Sequence, residues 1–282
     1  MRLSFFDYEL ERHGGRRSML FLREMHKLIP WKEIERLLIE RGIYKPNKEK
    51  QGRRSIPAST LIGALFLQSL YGLSHPMTEE LIHDRIPFRK FLNITEEETI
   101  ADETTICKFR NALIGEGLLE VIFNLVKERM KERGMILSKG TLVDATLIHA
   151  PEPKIKKDGN GNVLKEASDP DASYTSKKGI KYHGYQIHIG TDRAGIIKDI
   201  KTTTAKVHDF KVTDDLTKDE TKAIFADSAY MSKERKRILR DKGIFAGIIE
   251  RRVRGQKELR PKQRIHNKIF YKIRGIVCHL HS

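Results

Sequence analysis

Apolar positions recur at helical spacing through about the first 135 residues, then change to alternating and continuous strand-like runs after Gly140. The stretch 58–73 is apolar on most sides, which predicts a core helix, and Gly72-Leu-Ser-His-Pro76 ends it. Segments 77–85 and 87–92 predict short helices, and 104–113 predicts another, opened by the acidic cluster 97–103. Leu118, Val121, Ile122 and Leu125 form a helical stripe closed by Gly134. Short helices joined by tight turns suit a helix-turn-helix-like, DNA-contacting module, and they suit a plain structural bundle almost as well.

Beyond Gly140 the period changes. Residues 141–148 are a β-run holding one carboxylate, Asp144. Residues 151–181 read as a loop, from Pro151, Pro153, Asp158-Gly-Asn-Gly161, Asp169-Pro-Asp171 and interspersed lysines. Tyr185, Ile187 and Ile189 alternate with Gln186 and His188, a half-buried strand that turns through 190–195 into a second strand, 196–203. A short helix is predicted over 210–216 and a short strand over 223–229, ending in the carboxylate of Asp227. Ser232 caps a helix over 233–242 with Gly243 after it, 244–249 is a last strand, and Ile269, Ile273, Ile276/Val277 and Leu280 mark an amphipathic final helix. The order β-β-β-α-β-α-β-α after a helical domain predicts a mixed α/β architecture, divided at 1–135 and 136–282.

Charge changes the picture more than composition does. The chain has 282 residues, 39% of them hydrophobic, which is enough for a core. It carries a formal charge of +16 and a pI near 9.7. Most of that surplus lies in residues 231–282, which hold 16 Lys and Arg against 4 Asp and Glu. The densest part supplies Arg251, Arg252, Arg254, Lys257, Arg260, Lys262 and Arg264. A one-signed surplus of this size reads better as a phosphate-backbone surface than as a solvated face, since each neutralised phosphate releases counterions. A membrane surface would want aromatic or Leu anchors beside the cations, and none is visible. Two cysteines, Cys107 and Cys278, exclude a disulfide framework. The N-terminus has no signal-like apolar core, and 61–73 is too short to span a bilayer. A soluble, cytoplasmic, nucleoid-associated protein with no membrane partner is expected.

Asp144 sits inside an apolar run and Asp227 at the end of one. A lone strand Asp often just faces solvent or caps a turn. Two that converge would suit a divalent cation, because unpaired buried carboxylates are costly and hard cations take carboxylates, waters and phosphates. Paired cations of this type serve phosphodiester chemistry, which fits a basic protein. His183, His188 and His208 lack ligand spacing and read as surface or packing residues; Cys107 reads as structural. No Gly-rich phosphate loop is present, so an NTPase is not expected, and Asp158-Gly-Asn-Gly161 lacks the closing Glu of a calcium loop.

Several strings in order resemble one family. Ile56-Pro-Ala, Leu70-Tyr-Gly-Leu-Ser74, Phe88-Arg-Lys-Phe-Leu92 and Asp102-Glu-Thr-Thr-Ile-Cys-Lys-Phe-Arg110 are similar to the N-terminal domain of bacterial insertion-sequence DDE transposases, of the insertion-sequence-five type in the group four/five superfamily. Val143-Asp-Ala-Thr146, Asp169-Pro-Asp-Ala172, Lys181-Tyr-His-Gly-Tyr-Gln-Ile-His-Ile189, Val207-His-Asp209 and Ala226-Asp-Ser-Ala-Tyr230 resemble that family's catalytic blocks in sequence. The resemblance implies an RNase H-like catalytic fold, metal held by Asp144 and Asp227, and Mg²⁺ or Mn²⁺ as cofactor. It implies cleavage at transposon ends followed by strand transfer, with terminal-repeat and target double-stranded DNA as partners and a homodimer assembled on DNA. The family's last motif is Tyr-x2-Arg-x3-Glu-x6-Lys; here Tyr271 and Arg274 match, Cys278 stands in place of the Glu, and the chain ends at Ser282 before the Lys. A thiol is a poor ligand for hard Mg²⁺. The alternative expectation is therefore a C-terminally truncated, cleavage-impaired relative that keeps DNA binding.

Overall fold

The structure is a computed structural model that describes residues 17–46, 55–95, 98–137, 140–157, 163–166, 169–177, 179–220, 222–230, 232–252 and 255–278. It divides into two compact units, Met1–Arg133 and Gly134–Ser282.

The first unit is helical: α1 (Arg17–Leu28), α2 (Trp31–Glu40), α3 (Ala58–Tyr71), α4 (His75–Asp84), α5 (Ile86–Leu92), α6 (Glu103–Gly115) and α7 (Leu118–Glu132). Helix α3 is apolar on most sides and buries Ala58, Leu61, Ile62, Ala64 and Leu67 among the other helices. A Cβ at Gly63 would meet the end of the Leu92 side chain, so glycine here lets the helix pack directly against α5. The chain turns where its chemistry demands. Gly72 takes the left-handed C-cap of α3, the Ser74 hydroxyl accepts the Met77 N–H, and the Asp102 carboxylate accepts the Thr105 N–H.

The second unit is built on β1 (Thr141–His149), β2 (Lys154–Lys157), β3 (Val163–Glu166), β4 (Ser173–Lys177), β5 (Ile180–Thr191), β6 (Ile197–Thr204), α8 (Thr213–Thr217), β7 (Ala223–Ala226), α9 (Lys233–Asp241), β8 (Phe245–Ile248) and α10 (Pro261–Cys278). Strand β1 runs antiparallel to β5, β5 antiparallel to β6, and β1–β7 and β7–β8 are parallel. The order β6-β5-β1-β7-β8, three antiparallel strands followed by two parallel ones, is that of an RNase H-like sheet. The loop expected over 151–181 is corrected: β2 and β3 pair as a separate ribbon, and β4 pairs with the first part of β5. The turn residues there mark the connections between short strands and leave the strands themselves intact.

Alternation along β1 divides the core. Val143 packs with Val212, Leu216, Ile224, Ala226, Tyr230 and Leu239 on the side of α8 and α9. Leu142 packs with Phe225, Ile249 and Phe270 on the side of α10. Two glycines permit the close approaches. A Cβ at Gly184, with φ 150°, would run into the Ile148 carbonyl, and one at Gly247 would strike the Phe225 ring. Among the described residues, no helix is long and apolar enough to cross a membrane.

Candidate active site

Because side chains alternate along β1, Asp144 shares the α10 side with Leu142. From α10, 130 residues further along the chain, the Arg274 guanidinium donates to its carboxylate at 3.2 Å. The pair is largely enclosed, with the Arg274 side chain 10% and the Asp144 side chain 20% exposed. Asp227 directly follows β7, the parallel neighbour of β1, and its carboxylate accepts from the Ser228 hydroxyl at 2.9 Å and from Arg251 at 3.2 Å. Burial by itself would raise the Asp227 carboxyl. The Ser228 hydroxyl and the positive charges of Arg251 and Arg274 outweigh it and hold the group below the ordinary carboxylate range.

Asp144 and Asp227 line one cleft of about 320 Å³, together with Gln186, Asp209, Tyr230 and Arg251. Sequence reasoning assigned no role in this cleft to Gln186, Asp209 or Tyr230. Asp209 accepts a 2.6 Å bond from the Gln186 amide and lies 3.8 Å from the fully buried His188. His188 faces the Tyr230 hydroxyl on one ring nitrogen and the Thr203 hydroxyl, at 3.1 Å, on the other. Burial lowers the His188 pKa against the opposing pull of Asp209, so the ring is neutral at physiological pH. Burial, then the charges of Asp209, Asp144 and Asp227, push the Tyr230 hydroxyl far up and keep it protonated. Gln186 and His188 were visible as the polar half of an alternating strand, and Asp209 and Tyr230 as the ends of two motif strings. Nothing local said that they meet.

The basic run is placed unevenly. Arg251, Arg252, Lys257 and Arg264 line an open groove with Glu250, Glu258 and Leu259. Arg251 and Arg264 also line an adjoining groove with Asp227, Lys268, Tyr271 and Lys272. Arg264 is already ion-paired with Glu258. Arg260 and Lys262 are exposed at the start of α10 and line neither groove, and Arg254 lies outside the described residues. Tyr271 is exposed on the Asp227 side, while Arg274, one turn on, is buried against Asp144. Cys278 is the last residue of α10, and its side chain lies outside the described residues. Cys107, on α6, is half-buried.

The chain spans 63% of the length of the chain in "Crystal structure of the Mos1 Strand Transfer Complex", with 74% of its own residues covered, 12% identity and a TM-score of 0.23. "Crystal structure of the Mos1 mariner paired end complex with Mn" matches at 11% identity over 81% of this chain and 76% of that one, again with a TM-score of 0.23. The family described as "Transposase domain (DUF772)" matches residues 8–112. The family described as "Transposase DDE domain" matches residues 137–281, more than half of the sequence, and the chain belongs to the DDE transposase family.

Proposed function

We propose that this chain is an insertion-sequence transposase, which binds the double-stranded ends of a mobile element and catalyses their divalent-metal-dependent cleavage and transfer to target DNA. The observation that carries the reading is the meeting of Asp144 and Asp227, from paired parallel strands, in one cleft that adjoins a basic groove. The donor set fits the metal. Carboxylate oxygens are hard ligands, and Mg²⁺ is commonly held by one or two carboxylates with waters and substrate phosphates completing the shell. Among the described residues no three His, Cys, Asp or Glu side chains gather into a fuller cage. Asp144 and Asp227 would hold the ion, Mg²⁺ or Mn²⁺, which when bound supplies positive charge to the reacting phosphate and lowers the pKa of the attacking hydroxyl.

The protein's own groups do the rest. Arg274 fixes the orientation of Asp144, and the protonated Tyr230 lines the cleft, with the neutral His188 behind its hydroxyl, without adding charge. Arg251, Arg252, Lys257, Lys268 and Lys272 track a phosphate backbone, and exposed Tyr271 offers a ring beside Asp227. Assembly as a dimer on paired DNA ends, in the nucleoid, belongs to the same reading.

A second reading rests on Cys278. A thiol at the position where the resemblance places a Glu is a poor ligand for a hard cation, which leaves a chain that binds ends without cutting them. The discriminating assay is cleavage of duplex DNA carrying the element's inverted repeats, in Mg²⁺ and in Mn²⁺. Wild-type cleavage abolished by Asp227→Ala supports the enzyme. End binding without cleavage, with cleavage restored by Cys278→Glu, supports the binder. Neither binding nor cleavage by a folded chain refutes both.

A further inference from the structure

The two candidate ligands differ in how their positive partners are held. Arg274 is enclosed against Asp144, whereas the Arg251–Asp227 pair is open, with the Arg251 side chain 67% and the Asp227 side chain 38% exposed. Exposed pairs are weak, so the second is readily broken where the first is not. Arg251 also occupies an unusual position. It directly follows Glu250 on the segment after β8, and it lines the Asp144–Asp227 cleft, the Asp227–Tyr271 groove and the Arg252–Lys257–Arg264 groove alike. A guanidinium binds carboxylate and phosphate with the same fork of donors, so one side chain at this junction can exchange one acceptor for the other with little movement.

We propose that Arg251 is a releasable counter-charge, which holds Asp227 until a DNA phosphate in the adjoining groove draws it away and opens Asp227 to the cation. This inference rests on the reading of Asp227 as a metal ligand. It couples the two ligands of the enzyme, and linkage makes the coupling reciprocal: DNA raises cation affinity by the factor by which the cation raises DNA affinity. A chain built this way holds its cation weakly until DNA is present.

The test is Mn²⁺ titration of the full-length protein, followed by electron paramagnetic resonance of the free ion, without DNA. Wild type is compared with Arg251→Ala, Asp227→Asn, the double variant, and Arg240→Ala as a control that removes an equal charge from the exposed face of α9. Arg251→Ala is expected to bind Mn²⁺ about fivefold more tightly, near the ceiling of an exposed ion pair, while Arg240→Ala stays at the wild-type value. The gain must vanish when Asp227→Asn is added. A second arm measures binding of a generic duplex by fluorescence anisotropy, in EDTA and in Mn²⁺. Enhancement by Mn²⁺ in wild type that shrinks in Arg251→Ala supports the proposal. Unchanged Mn²⁺ affinity in Arg251→Ala, with Asp227→Asn still weakening the ion, overturns the Arg251 inference alone. Equal Mn²⁺ binding by wild type and Asp227→Asn overturns the metal assignment, and the inference with it.

Discussion

Removing the Arg274 guanidinium is the sharpest stability test of how the sheet and α10 are tied together. The residue lies 130 positions from Asp144, its side chain is 10% exposed, and its Nη2 sits 3.2 Å from the carboxylate. Two unit charges at that distance attract by about 1 kcal/mol in water and about 5 kcal/mol at an effective dielectric of 20. Desolvation offsets part of this, and the cleft admits water. Truncating one partner leaves the other charge enclosed, which costs about 3–5 kcal/mol when burial is complete. For a pair this enclosed but still wetted, Arg274→Ala should therefore cost about 2 kcal/mol, between the surface and fully buried limits. At about 2–4 °C per kcal/mol for a unit of this size, the melting transition of the sheet unit should fall by about 4–8 °C. The check is a double-mutant cycle with Asp144→Asn, followed by calorimetry. With the carboxylate neutralised, Arg274→Ala should cost distinctly less, and the difference is the coupling of the pair. Additive single effects, or an Arg274→Ala transition within 1 °C of wild type, would refute the argument that the pair is enclosed and stabilising.

Other expectations follow from the same geometry. Glu220 is almost fully buried. Burial alone would raise its carboxyl, but the Thr141 hydroxyl, the Lys222 amide and the Lys198 ammonium outweigh burial and depress it. A depressed carboxyl adds stability above its unfolded value and loses it as pH falls through its folded value, so acid denaturation curves should flatten in Glu220→Gln, together with a loss of stability at neutral pH. Gly247→Ala places a Cβ against the Phe225 ring and should cost about 1–3 kcal/mol of overpacking, read as a lowered denaturation midpoint. Arg252→Ala, Lys257→Ala and Lys268→Ala combined should weaken duplex binding and flatten its salt dependence by roughly two to three in the slope of log K against log salt. Arg264→Ala should change that slope less, because Arg264 is already paired with Glu258.

Local periodicity carried the order of elements a long way. The change of period at Gly140, the alternation of Tyr185, Ile187 and Ile189, and the Ser232 cap each describe what one segment does alone, and β1, β5 and α9 fall where those signals stand. The loop expected over 151–181 failed for a local reason too: turn residues spaced this closely outweigh the four- and five-residue strands between them, whose pairing depends on register with partners elsewhere in the chain. The apolar setting of Asp144 and Asp227 was likewise visible in the sequence, because a carboxylate within a strand run stands out chemically.

Which charge meets which carboxylate was not visible. Arg251 reaches Asp227 across 24 residues and Arg274 reaches Asp144 across 130, while Arg260 and Lys262, in the same basic run, line neither groove. Asp209, His188 and Tyr230 converge only because β5, the turn after β6 and the turn after β7 are brought side by side. A side-chain period of 2.0 or 3.6 residues determines which face of an element is buried, and the sequence by itself settled that much here. The partner that buries the face is chosen by strand register and by the packing of distant elements, so the wiring of the cleft was decided by the tertiary structure alone.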